Sequence, residues 1–336
     1  MLIETDVTGL AVLVVGPVGV TSAAARRWTR AGAQVVTVTE CSAVTPAQRE
    51  WAGVAVLVGA AAQDPARTRA LTGVAVVVTE PAPDPVRGRV VLVGAGPGGA
   101  GLLTLEGLRA LADADVVLTD RLVEIGDLAA FAPGAEIVDV GKTPGHHAVP
   151  QAEIERIMVE RALAGLTVVR LKGGDPYVFG RGGEEVSAAV EAGLPVTVVP
   201  GVSSAVAVPA SAGIPVTHRG VSHVFTVVSG HVPLEDHRAR ALADLGGTVV
   251  VLMGMQNLVS ITAALGRGGL DPATPAAVVE RGFTPDQRSL VGTLATLPEM
   301  VERGVVASPA VIVIGEVVRQ SDVWSRRVAS RVEVDA

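Results

Sequence analysis

Short apolar runs rich in Val and Leu recur along the chain, separated by glycine- or proline-marked turns and by longer alanine-rich stretches. Runs of this kind bounded by turn residues read as buried strands. Their alternation with helical stretches predicts α/β architecture on parallel sheets. The first cycle predicts strands at 10–15, 34–39, 54–58 and 74–78, with a helix over 20–31. Glu80-Pro-Ala-Pro-Asp-Pro-Val86 then breaks the pattern. Proline removes a backbone donor and suits neither a helix interior nor a central strand, so this stretch predicts a linker. A second cycle follows, with strands at 89–93, 115–119, 136–140, 167–171 and 196–199 and helices at 102–112, 151–164, 182–192 and 202–211. After a boundary near Pro215 the alternation resumes, with strands near 224–228, 248–253, 276–280, 288–293 and 310–314. The predicted organisation is a small α/β domain over 1–86, α/β domains over 87–216 and 217–322, and a tail over 323–336.

Composition narrows the function. The 336 residues carry a net charge of −7 and only 2% aromatics, which lacks both the basic surface and the stacking platforms of a general nucleic-acid binder. Cys41 is the only cysteine, so neither a disulfide framework nor a multi-cysteine metal site is expected, and a reducing compartment fits. No apolar run approaches the roughly 18 residues of a membrane span, and the start of the chain has no basic leader, so a cytoplasmic location is expected.

Candidate chemistry lies in loops that follow strands. Gly94-Ala-Gly-Pro-Gly-Gly99 formally matches a dinucleotide fingerprint, with Asp115 and Asp120 downstream. A tight turn with no ligand is the competing reading, and the dinucleotide reading stays open at this point. Leu171-Lys-Gly-Gly-Asp-Pro-Tyr-Val-Phe-Gly-Arg-Gly-Gly-Glu-Glu185 exposes backbone polar groups without side-chain obstruction. In it Asp175 could receive ribose hydroxyls or lean toward a cation, and Glu184 and Glu185 need be no more than helix-start residues. Pro200-Gly-Val-Ser-Ser204 opens a helix, with Ser203 as its cap or a ligand contact. Ligands bind at the carboxyl ends of parallel strands, so the three loops are expected to converge on one crevice. The N-terminal loop, Gly16-Pro-Val-Gly-Val-Thr21, lacks the later glycines of the fingerprint.

The motifs in sequence order carry a resemblance. Gly94-Ala-Gly-Pro-Gly98, Leu102-Leu-Thr104, Asp120-Arg-Leu-Val123, Gly141-Lys142 and His147-x-Val-Pro-Gln151 open the series. Arg170-Leu-Lys-Gly-Gly-Asp-Pro176, Phe179-Gly-Arg-Gly-Gly-Glu-Glu185, Pro200-Gly-Val-Ser203, Ile214-Pro-Val-Thr-His-Arg219, Met253-Gly254 and Ser308-Pro-Ala310 continue it. Together they resemble the tetrapyrrole methylase family, and within it the uroporphyrinogen-III C-methyltransferases, over residues 88 to about 320. The resemblance implies two α/β domains with the active site in the cleft between them, acting as a homodimer. It implies S-adenosylmethionine held by Pro97, Gly173, Gly174, Asp175, Val178, Ser203, Ser204, Met253 and Gly282, with Asp120 as proton acceptor and Lys142 as proton donor. The implied substrate, uroporphyrinogen III, carries eight carboxylates, and the reaction methylates C2 and C7 to give precorrin-2.

Arg121, His147, Arg170 and Arg181 are the expected carboxylate partners, within a wider group that includes His146, Lys172, His218 and Arg219. His146-His147 has no partner at ligand spacing, so no metal is expected. Two departures stand out. Gly99 occupies a position where the family has Asp, which is what creates the formal fingerprint and makes an NAD site doubtful. Ser203 stands where Thr is common. Residues 1–86 resemble a shortened, Rossmann-like precorrin-2 dehydrogenase module of the kind fused to this methyltransferase in sirohaem synthase. With its glycines altered, no efficient dehydrogenase activity is expected there, and a role in packing or dimer contacts is. The competing readings are a relative acting on another acceptor, an NAD-dependent dehydrogenase, and a non-catalytic sensor.

Overall fold

The structure is a computed structural model. It describes the chain except residues 1–6, 17–20, 22–23, 26–27, 30–31, 59–70, 75, 81–87, 121–122, 124–125, 127, 142–148, 305 and 322–336. The proline-rich linker, the tail, most of the first glycine loop and much of the helix expected over 20–31 therefore lie outside the described residues.

Three sheets organise the described residues. The first holds β1 (Ala11–Val15), β2 (Gln34–Val38), β3 (Val54–Val58) and β4 (Val76–Glu80), all parallel, in the order β2-β1-β3-β4. Between β2 and β3 lies a short helix, α1 (Pro46–Trp51), closed by a Thr45–Gln48 capping box. β1 and β3 are buried almost throughout, as expected for central strands covered on both faces.

The second sheet is also wholly parallel, in the order β7-β6-β8-β5-β9. Its strands are β5 (Arg89–Gly94), β6 (Val116–Thr119), β7 (Glu136–Asp139), β8 (Thr167–Lys172) and β9 (Val196–Val199). The connecting helices are α2 (Leu105–Ala112), α3 (Leu128–Phe131), α4 (Gln151–Leu163) and α5 (Gly182–Glu191), and α6 (Ser204–Ser211) follows β9. Side chains alternate across the pleat. Val90, Leu92, Val116, Leu118 and Val168 pack with α4 and α5, whereas Val91, Val93, Val117, Val169 and Leu171 pack with α2. By that period Arg170 and Lys172 project toward the α4/α5 layer.

The third sheet, in the order β10-β11-β14-β12-β13, is mixed: only β10 and β11 are parallel. It comprises β10 (Phe225–Ser229), β11 (Thr248–Leu252), β12 (Pro275–Glu280), β13 (Arg288–Thr293) and β14 (Ala310–Ile314). On one face it packs against α7 (Asp236–Leu245), α8 (Leu258–Arg267) and α9 (Leu297–Glu302). The other face buries Val250, Ala277, Val279 and Val313 against Ala205, Val208 and Ala212 of the α6 segment. α6 thus follows the second sheet in sequence and forms the core of the third, joining the two sheets through a continuous apolar contact.

Candidate active site

The three glycine-rich loops meet. Because the second sheet is parallel, β5, β8 and β9 all end at one edge, and their following loops start there. Gly96 and Gly174 exchange backbone hydrogen bonds of 3.1 and 2.9 Å, and Ala95 N donates to Lys172 O at 2.8 Å. A Cβ placed on Gly201 would lie 2.2 Å from Gly174 O and 2.6 Å from Gly94 Cα. Backbone therefore rests directly on backbone among these glycines, which any side chain would prevent. Gly174 takes φ +70°, and the nearest atom to its missing Cβ is Ser204 N at 3.6 Å. Ser203 caps α6, its hydroxyl accepting from Ala205 N at 3.3 Å.

Asp175 Oδ1 accepts from Tyr177 N at 2.8 Å and its Oδ2 from Gly201 N at 3.0 Å. Each oxygen thereby ties the second loop, to itself or to the third, and keeps a further acceptor site. Gly282 is buried, and a Cβ there would lie 2.8 Å from Val208 Cγ1, so its turn lies flat on α6. Val178 is half-buried against the apolar cluster shared by α6 and the third sheet. Pro97 and Gly173 are half-buried on the glycine loops, and Met253, at the tip of β11, is 49% exposed.

The third sheet reaches this edge through the loops that follow its strands. A Cβ on Gly98 would meet Phe283 O at 2.8 Å, so the turn after β12 touches the first glycine loop. Among the described residues, the non-glycine residues with positive φ are Phe179, Arg181, Met253, Arg281 and Phe283, at 47° to 65°. Such conformations cost about 1–3 kcal/mol each and collect where a site demands a fixed backbone. All five belong to the loops just described.

Beside the loops lies a buried charge cluster. Asp120 follows β6 directly, and Arg170 stands opposite Leu118 in the register of β8 and β6. Arg170, 1% exposed, donates from Nη2 to Asp120 Oδ1, from Nε to Glu185 Oε1 at 2.9 Å, and from Nη1 to the carbonyls of Leu118 and Leu171. Lys172 Nζ lies 3.0 Å from each Glu185 oxygen and 3.9 Å from Asp120 Oδ2. Burial, and then the Arg170 guanidinium, hold the Lys172 ammonium below its ordinary pKa, opposed by Glu185 and Asp120. Asp120, with 30% of its side chain exposed, is the member of this cluster that solvent reaches.

Several expectations are corrected here. Arg170 was expected against substrate carboxylates, but its guanidinium is enclosed and bound by protein groups. Glu185 was expected to be only a helix-start residue, but it is fully buried and binds two cations. The sequence held a signal for it: Arg170 and Lys172 share one face of a strand buried on both sides, so an acidic partner had to lie within reach. Arg181 is exposed and paired with Glu184, each favouring the other's charged form. Lys142, Arg121, His146 and His147 lie outside the described residues.

The formal dinucleotide fingerprint fails structurally. In that motif a helix starts at the glycine turn and presents its N-terminus to the pyrophosphate. Here a single 3-10 turn intervenes at Ala100–Leu102, and α2 starts only after Thr104, whose hydroxyl caps it through Gly107 N at 3.0 Å. β5 also pairs with β8 and β9, not with the next strand in sequence.

Comparison with known proteins agrees with this arrangement. Residues 89–298 match the family model for tetrapyrrole (corrin/porphyrin) methylases. An S-adenosyl-L-methionine-dependent uroporphyrinogen III methyltransferase of Methanosarcina barkeri is 46% identical over 240 residues, covering 70% of this chain and 94% of that protein. A siroheme synthase of Tolumonas auensis is 47% identical over 71% of this chain, which spans 51% of the relative's length. A solved Thermus thermophilus uroporphyrin-III C-methyltransferase, complexed with S-adenosylhomocysteine, superposes with TM-score 0.59 at 47% identity over 69% of this chain and 99% of its own. With the family model spanning more than half its length and relatives this similar, the chain belongs to the tetrapyrrole methylase family.

Proposed function

We propose that the chain is a uroporphyrinogen-III C-methyltransferase, moving methyl groups from S-adenosylmethionine to C2 and C7 of uroporphyrinogen III and yielding precorrin-2. The observation that carries this reading is the backbone-on-backbone packing of Gly94, Gly174 and Gly201 beside a partly exposed Asp120. The glycine turns suit a nucleoside-bearing donor, since a Cβ on Gly99 would meet nothing within 4 Å and one on Gly174 would make only ordinary contact, with Ser204 N at 3.6 Å. Pro97, Gly173, Gly174, Asp175, Val178, Ser203, Ser204, Met253 and Gly282 are the residues that would hold it. The donor, when bound, supplies a sulfonium methyl that needs no further activation.

The chain's own contribution is then positional and acid–base. Fixed turns hold two reactants in line, which replaces the entropy cost of a bimolecular encounter. The alkylated ring is cationic until a proton leaves, and Asp120 is the carboxylate stationed to accept it; Lys142 is its proposed acid counterpart. Arg121, His147 and Arg181 are the proposed partners of the substrate carboxylates. The Arg181–Glu184 pair is exposed, and such pairs contribute only about 0–1 kcal/mol, so Arg181 can exchange its partner for a substrate carboxylate at little cost.

The same proposal includes a homodimer in the cytoplasm, no nucleic-acid partner and a non-catalytic N-terminal domain. Among the described residues no helix is long and apolar enough to cross a membrane. Anaerobic turnover with labelled donor and a panel of acceptors tests the assignment. Uroporphyrinogen III should be the preferred acceptor; transfer to a later precorrin in preference to it would move the enzyme elsewhere in the family.

A further inference from the structure

Lys172 and Glu185 take no part in the mechanism just described, yet both are buried beside Asp120: Lys172 Nζ lies 3.9 Å from its Oδ2, and Glu185 binds both Lys172 and the Arg170 that holds its Oδ1. We propose that Glu185 and Lys172 are positioning residues for Asp120, forming with Arg170 a charge-balanced cradle that fixes its carboxylate with one oxygen held and the other left open. This rests on Asp120 being the proton acceptor.

The geometry is the argument. Arg170 Nη2 holds Asp120 Oδ1, while Oδ2 accepts no hydrogen bond among the described residues and lies 3.9 Å from Lys172 Nζ. Arg170 can hold that position only because its Nε is fixed to Glu185 Oε1 and its Nη1 to two carbonyls. Two cations side by side in a buried layer would repel each other and carry a large desolvation cost; two carboxylates bring the four-group cluster to zero net charge. Glu185 is the shared element, bound to both cations and also accepting from Gln151 Nε2 at 3.3 Å. Gln151 in turn donates to Glu155 at 3.0 Å, which links the cluster to the start of α4. The charged groups around it are Asp120 after β6, Arg170 and Lys172 on β8, Glu155 on α4, and Arg181, Glu184 and Glu185 at the start of α5.

A proton acceptor that must repeatedly load and unload needs one oxygen anchored and the other accessible. When Lys172 loses its proton the cluster becomes net negative, Arg170 is shared between two competing carboxylates, and the hold on Oδ1 weakens. Turnover should therefore fall as Lys172 deprotonates. Glu185 favours the ammonium form of Lys172, so its removal should bring that loss to lower pH.

The test is the pH dependence of kcat, with S-adenosylhomocysteine affinity measured in parallel as a readout of an intact fold. In Glu185→Gln the alkaline limb should move to lower pH by about one unit or more, the effect of losing an opposite charge at this range. In Lys172→Arg, whose guanidinium keeps its proton throughout, the limb should move to higher pH, where Lys142, the proposed proton donor, sets it. A limb at the wild-type position in Lys172→Arg would overturn the proposal even if Glu185→Gln failed to fold. Asp120→Asn separates the two layers of the argument. Full turnover in that variant would remove the underlying assignment, whereas a dead Asp120→Asn beside unshifted profiles in the other two would remove the cradle alone.

Discussion

At the scale of single residues, the site turns on where a side chain must be absent and where one must be present. Gly201 is the clearest case of absence, because an added methyl would meet Gly174 O at 2.2 Å. Gly201→Ala should lower stability by about 1–3 kcal/mol or more, read from urea denaturation, because both loops must move to admit it. Gly174→Val should act differently. It forces a β-branched residue to φ +70° and sends its side chain toward Ser204, so calorimetry should register loss of donor binding together with a lower Tm. Asp120 is the clearest case of presence. Asp120→Asn should reduce kcat by about 10²–10⁴-fold, the usual contribution of a positioned base. Its donor affinity, measured separately, should change by no more than about twofold, since the lost interaction belongs to the transition state. Equal loss of both would make Asp120 a structural residue.

At the scale of elements, hydrophobic pattern proved the most legible feature. The runs around 54–58, 196–199, 288–293 and 310–314 are strands with those bounds, because Val-rich runs closed by turn residues have few alternatives. The pattern predicted no helix at α1, α3, α7, α8 or α9. In α7 and α9 apolar positions are sparse among charges in Asp-His-Arg-Ala-Arg-Ala-Leu-Ala-Asp-Leu and in a segment only six residues long, and packing on the third sheet decides them. Convergence of the glycine loops was legible because parallel strands must end together. The inward role of Glu185 was not, since two glutamates at a helix start already suit the macrodipole. Glu185→Ala should cost about 3–5 kcal/mol, the penalty for stranding buried charges, where Thr104→Ala should cost about 1 kcal/mol as a lost cap.

Lys172 gives the cluster a signature in stability as well. Its pKa is lowered in the folded state, so between that value and the ordinary 10.5 the unfolded chain binds more protons. Stability therefore rises with pH across that window, and the burial penalty is fully present below it. Denaturation at stepped alkaline pH should show this rise in the wild type and its absence in Lys172→Met.

For the whole molecule, the proposed division after residue 86 separates a parallel four-stranded sheet from the two sheets that build the crevice. The Methanosarcina barkeri relative is matched over 94% of its length, so a unit of this size stands there with little else attached. A chain shortened to begin at Arg87 should accordingly retain kcat to within about twofold, as expected when one domain carries its own core. A collapse of activity would instead give residues 1–86 a part in the site. The central claim is that turns bare of side chains carry a sulfonium donor to a reduced tetrapyrrole, with Asp120 taking the released proton. The most direct measurement is NMR of the product formed anaerobically from uroporphyrinogen III and methyl-labelled S-adenosylmethionine. The account predicts two labelled methyl groups per macrocycle, at C2 and C7; donor binding with no label on the ring would contradict it.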